Sequence, residues 1–190
     1  MNGYSVALFV HLLSLLLASV AASLSTFAAL RLRRVDEAAE AKAWVAFVGR
    51  VVPAFPLAVV GLLGSGIYMT HERWGWSIPW VDAALVGLGL IVALGSGVEG
   101  ARTRALGREL EVAGMSSRAR RLLRDPLAWS AKMTTLTVAI AVVFVMTVKP
   151  AATECAAVLS VAVAAGVLAA TPLWRVPARE VSEATEPASS

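Results

Sequence analysis

The sequence predicts an all-α integral membrane bundle of five transmembrane helices, with its N-terminus outside and its C-terminus cytoplasmic. Three observations predict this class. Val6 to Leu30 contains no charged side chain, and at about 1.5 Å of helical rise, roughly 20 such residues cross a hydrocarbon core of about 30 Å. Hydrophobic residues make up 58% of the chain and charged residues 16%, whereas soluble domains run near 45–50% and about 25%. Four further apolar stretches follow, each bounded by polar or charged connections.

The first span, 6–30, is preceded by no Lys or Arg. Its apolar run exceeds a secretory h-region of about 7–15 residues, so it reads as a retained span. The second span, 45–69, carries Pro53 and Pro56, which should kink its inner half. The third, 80–98, is the shortest and has Asp82 just inside its start. The fourth, 127–148, and the fifth, 155–173, are joined through Lys149 and Pro150, a connection suited to an antiparallel hairpin. Within the long connection before the fourth span, Ser116 and Ser117 can cap a short helix through Leu123 that Asp125 and Pro126 end. Arg118, Arg120, Arg121 and Arg124 would then face anionic headgroups, or a protein partner. Residues 176–190 combine Glu180, Glu183 and Glu186 with small residues and prolines and read as a disordered cytoplasmic tail. Five spans and their connections use nearly all of residues 1–175, which leaves no separate catalytic domain, so the chain does not read as an enzyme.

Charge asymmetry sets the expected direction. Of 17 basic residues, all but Arg73 and Lys149 fall on one side of the bundle, in the connections 31–50 and 102–132 and in the tail. Basic connections stay cytoplasmic. The net charge of +4 therefore reports topology, not a nucleic-acid partner. The implied location is multi-pass in the cell's cytoplasmic membrane. The implied partners are the lipid bilayer and a second membrane protein or another copy of the chain. The single cysteine, Cys155, excludes an intrachain disulfide.

Lipid tails are as apolar as Leu, so helices in a bilayer associate where small residues let backbones approach. Gly89, Ala93 and Gly97 stand four apart on the third span, and Gly61 and Ser65 four apart on the second, so these two helices are expected to pack on each other. Arg50 and Lys132 fall inside apolar stretches. Either they snorkel to the headgroups or they form an internal pair with Glu99. Tyr68, Trp74, Trp76 and Trp80 at one end, and Trp44, Trp129 and Trp174 at the other, read as interfacial belts. Trp74 and Trp76 are also candidates to stack on a ring-shaped ligand.

One set of residues has ligand chemistry. His11, Met69, His71, Met146 and Cys155 all fall in the outer half, with Asp82 and Glu154 at the rim. Imidazole, thioether and thiol are the donors that Cu(I) prefers. The structural alternative has His11 donating to Ser65 at equal depth while the methionines fill packing gaps. Haem is a second cofactor reading and needs His11 and His71 on opposite faces of one ring. No zinc-protease helix, phosphate loop or nucleophile elbow is present in the sequence.

Leu8-Phe9-Val10-His11-Leu12-Leu13, Leu63-Gly64-Ser65-Gly66-Ile67-Tyr68-Met69 and Met146-Thr147-Val148-Lys149-Pro150 resemble segments of an uncharacterised family of predicted bacterial integral membrane proteins, a domain of unknown function. That family is similar in outline to the membrane part of CopD-type copper-resistance proteins. The resemblance spans about Val6 to Pro150 and implies a multi-span fold; copper handling is implied through the more distant group only. Three functions stand as expectations. The first is a transport or accessory protein handling a metal ion, copper, at the outer face. The second is a redox protein holding haem or quinone between helices, and the third is a structural partner subunit without a ligand of its own.

Overall fold

A bilayer offers backbone amides no water, so spanning segments must satisfy their hydrogen bonds internally. In the computed structural model, which describes residues 2–174, helices are the only regular structure among the described residues. They are α1 (Gly3–Leu32), α2 (Ala38–Val51), α3 (Ala54–Arg73), α4 (Pro79–Val92), a π-helical turn (Ala93–Glu99), α5 (Gly100–Ala113), α6 (Ser117–Leu123), α7 (Pro126–Val148) and α8 (Ala152–Trp174). Five continuous helical stretches are long and apolar enough to cross a membrane. The tail expected at 176–190, with Arg175, lies outside the described residues.

Two stretches are longer than their sequence patterns indicate. The second begins at Ala38 and breaks at Val52 and Pro53, where proline cannot donate to the helix ladder, so α2 and α3 are two segments of one pass. The third continues without interruption from Pro79 through the π turn to Ala113. Between α5 and α7, the Ser116 hydroxyl accepts from the Ala119 amide at 3.1 Å and caps α6 as its sequence indicates.

Helix pairing differs from the expected pairing of the second and third spans. α1 packs along α3, α7 along α8, and α4 against both α7 and α8, whereas α3 and α4 share no extended interface. Buried positions on α7 (Ala131, Thr134, Val138, Ala141, Val145) repeat at three and four residues, the seam spacing of supercoiled helices. On α1 the seam is Ser14, Ala21, Ser25, Ala28 and Leu32, almost all small. A Cβ at Gly61 would strike the Ser14 hydroxyl, and one at Gly166 would strike the Thr134 backbone. These positions bring α3 onto α1 and α8 onto α7. Thr137 adds a hydroxyl donor to the Ala162 carbonyl across the second seam, at 2.7 Å.

Gly89, Ala93 and Gly97 do not serve that role between the spans. All three are exposed, and a Cβ at either glycine would meet nothing within 4 Å. The reason is the π turn. Its i→i+5 bonding adds a residue to the turn, so a four-residue ridge running through Ala93 does not stay on one face. The contact falls instead at Gly87, whose missing Cβ makes room for Val142 of α7.

The two ends of the bundle are built differently. At the end rich in arginine, Leu32, Val35, Ala41, Leu106, Leu110 and Ala119 form a core from α1, α2, α5 and α6, with Trp44 and Val45 packed on it. The connections 31–50 and 102–132 are therefore a packed helical layer. At the opposite end, Lys149 caps α7 in the left-handed conformation (φ 56°) and sets its ammonium 4.0 Å from the Trp74 ring centroid and 5.4 Å from that of Trp80. Trp74 meets Trp80 edge to face at 5.4 Å, so its aromatic neighbour is Trp80 and the Trp74–Trp76 platform is not built.

Replacing Gly61 or Gly166 with Leu should destabilise the detergent-solubilised protein by about 1–3 kcal/mol, the cost of overpacking a tight contact. Gly89→Leu should stay within about 0.5 kcal/mol, as an exposed change does. Denaturant titration followed by Trp fluorescence distinguishes the two outcomes; equal losses at Gly89 and Gly166 would contradict the packing.

Candidate functional site

The most polar arrangement within a spanning segment lies where the π turn meets α7. Lys132 stands in the second turn of α7, three residues or about 4.5 Å inward from Trp129. Glu99 is the last residue of the π turn. The Lys132 Nζ lies 2.5 Å from Glu99 Oε2, and Ser25 Oγ of α1 lies 3.4 Å from the same ammonium. The Thr135 hydroxyl donates to Glu99 Oε1 at 3.3 Å. Both charged side chains are largely covered, at 15% and 17% exposure. Three separate helical stretches thus converge on one ion pair.

The backbone explains why Glu99 reaches α7. A π turn shifts the facing of everything after it relative to an uninterrupted α-helix, and here the Gly100 amide bonds back to the Gly95 carbonyl. Gly95 and Gly97 lower the steric resistance to that geometry. Thr103 then returns its hydroxyl to the Glu99 carbonyl at 3.0 Å.

Around the pair, the basic end is tied to the spans. Trp129 is buried and donates its indole N–H to the Leu123 carbonyl at 2.9 Å, which removes it from the expected aromatic belt. Arg33 lies over the Trp129 ring at 5.0 Å and donates to the Leu173 carbonyl at 2.9 Å, linking α1, α7 and α8. Asp125 caps α7 through the Leu127 amide and takes Arg102 at 2.8 Å.

The remaining sequence candidates are placed as follows. Arg50 is exposed on α2 and takes no part in the pair, so the internal pair is Lys132 with Glu99 alone. The His11 Nδ1 is 3.1 Å from Ser65 Oγ, and the Ser65 hydroxyl donates to the Gly61 carbonyl, so Nδ1 carries the proton and donates to Oγ. Met69 follows Ser65 by one turn and is buried on the same helix, while His71 is exposed. Met146 is half-buried near the end of α7, and Cys155 is buried at the start of α8 with its thiol toward the Pro150 carbonyl at 3.5 Å. The five soft donors therefore divide between the α1–α3 pair and the α7–α8 hairpin, two pairs without an extended α3–α7 or α3–α8 interface. Among the described residues no three His, Cys, Asp or Glu side chains cluster in a way that would hold a metal ion. A copper site using all five donors does not fit this arrangement. Nor do the histidines fit one haem: His11 lies level with Gly66, and His71 is five residues, about 7.5 Å, farther along α3.

Comparison with family models, with curated proteins and with solved structures gives no match to this chain.

Ser25 and Thr135 escape a sequence reading because hydroxyls are common in transmembrane helices and bond their own carbonyls. Their only signal is position. Ser25 belongs to the small-residue seam of α1, and Thr135 follows Lys132 by one turn.

Lys132→Met should cost about 2–3 kcal/mol, toward the lower side of the range for breaking a buried pair because both partners keep some solvent contact. Glu99→Gln should cost less, since the amide still accepts from Thr135. Adding Glu99→Leu to Lys132→Leu should restore much of the single-variant loss. A double-mutant cycle in detergent measures the coupling, and strict additivity would mean that the pair is not formed.

Proposed function

We propose that this chain is a multi-pass protein of the cell's cytoplasmic membrane with a transport or transport-accessory role, in which the Glu99–Lys132 pair is the ion-responsive element. The observation that carries this reading is the pair itself, one carboxylate and one ammonium held by three helical stretches within spanning segments. Ionisable groups at such depth are costly and are retained where ions or protons act. Protonation of Glu99, or a cation drawn to its carboxylate, cancels the attraction to Lys132. The ammonium then has Ser25 as its remaining neighbour, on the side of α1. The π turn is the element whose bonding can readjust, since one residue can move between i→i+5 and i→i+4 patterns. The cargo class supported is thus a proton or a small cation handled from the basic end. Copper at the outer face draws less support because its donors divide between two helix pairs.

The excess of Lys and Arg supports placing the arginine-rich end in the cytoplasm, with the start of α1 outside. A reporter active only in the cytoplasm should be active when fused after Trp174 and silent when inserted between Lys149 and Thr153. The reverse pattern would overturn the orientation.

For transport, purified protein in liposomes enclosing a pH-sensitive dye should dissipate an imposed pH gradient severalfold faster than protein-free liposomes. Glu99→Gln should return the rate toward that background, and Glu99→Asp should retain part of it. A wild-type rate equal to background, or an unchanged rate in a folded Glu99→Gln variant, would overturn proton handling at this pair.

A further inference from the structure

The arginine-rich end contains an open cavity of about 740 Å³ where α6 meets the start of α7 and the end of α8. Arg102, Arg118, Arg120, Arg121, Arg124 and Trp174 line it. Carboxylates engage three of these arginines: Asp125 takes Arg102 at 2.8 Å, Glu109 takes Arg118 at 3.6 Å and Asp36 takes Arg120 at 2.9 Å. Asp125 is the one carboxylate in the lining itself. Positive charge is crowded beyond the cavity as well. Burial, and then repulsion from Arg124, hold the nearby Arg33 guanidinium below its ordinary range.

We propose that this cavity binds the phosphate of an anionic phospholipid headgroup. Guanidinium groups present paired N–H donors that match phosphate oxygens, and several converging on one space bind an anion that a single surface arginine would not hold. The location favours a lipid over a dissolved anion. α7 begins here and α8 ends here, so the cavity lies at the level where spanning helices leave the hydrocarbon. Leu122, Pro126 and Trp174 supply an apolar wall beside the arginines, suited to the glycerol and upper acyl region that follows the phosphate. A bound headgroup would bridge α5, α6 and the α7–α8 hairpin. This inference rests on the cavity and the membrane-spanning fold and is independent of ion movement at Glu99.

The test uses the full-length protein purified in mild detergent, with phosphatidylglycerol, phosphatidylcholine or inorganic phosphate added, and reads bound lipid by native mass spectrometry beside the thermal midpoint. Phosphatidylglycerol should remain bound and raise the midpoint, and the other two should not. Arg121→Gln with Arg124→Gln should weaken retention by roughly fivefold per arginine removed, the effect of one basic residue near an anionic surface. Arg121→Lys with Arg124→Lys should keep part of it, and Arg31→Gln with Arg34→Gln should change nothing. If the Arg121/Arg124 glutamine variant does not fold, Arg118→Gln with Arg121→Gln decides. Equal retention of phosphatidylcholine, or wild-type retention in the folded glutamine variant, would overturn the site. Stabilisation by inorganic phosphate equal to that by lipid would overturn the lipid assignment.

Discussion

The whole arrangement depends on how closely helix backbones can approach where no hydrophobic force drives them together. In lipid, Leu gains little by leaving one apolar neighbour for another, and the gain comes from contacts that only small residues permit. Gly166 against the Thr134 backbone joins α8 to α7, Gly87 under Val142 joins α4 to α7, and Gly61 over Ser14 joins α3 to α1. The α4–α7 approach has a further consequence. It brings the π turn onto the first half of α7, and without it Glu99 could not reach Lys132.

A different force governs the arginine-rich end. Leu32, Val35, Leu106 and Leu110 are buried there among helices that carry many charged residues on their outer faces, a pattern suited to water. Removal from water rewards burial directly, so these positions are large and apolar where the seams within the spans are Ala, Ser and Gly. The change from Ser14, Ala21 and Ala28 to Leu32 and Val35 along α1 and just beyond its end follows that change of solvent. The layer also anchors α6, whose Ser116 cap and Arg120–Asp36 pair fix it against the end of α1.

The spans were legible because the bilayer imposes one coarse rule, about 20 apolar residues per crossing, and the sequence obeys it five times. The His11–Ser65 contact was legible from equal depth on antiparallel helices, and the α6 cap from Ser116 alone. Helix partners were not legible. Small residues four apart occur on several faces, and nothing in Gly89, Ala93 and Gly97 announces a π turn that moves the ridge off one face. Heptad seams on α1 and α7 are visible only once one knows which of many apolar positions are buried. Within the candidate site, Glu99 and Lys132 were each conspicuous as charges in apolar surroundings, whereas Ser25 and Thr135 carry no comparable signal. The connections read as loops are helical because Leu106 and Leu110, four apart, found a core that charge counting had obscured.

Those two solvents meet at the Glu99–Lys132 pair. Deeper in the hydrocarbon, breaking it would leave an uncompensated charge at a cost of several kcal/mol, and the pair would be locked. In water it would contribute little, since exposed pairs are worth about 0–1 kcal/mol. About one turn inward from Trp129, with about a sixth of each side chain exposed, neither limit applies. The separated state is reachable because Lys132 has a second oxygen at Ser25 and a short stem's distance to the headgroups, and the joined state is favoured because Thr135 completes the carboxylate. Two arrangements of similar free energy around one charge are what a membrane protein needs if an arriving proton or cation is to decide between them.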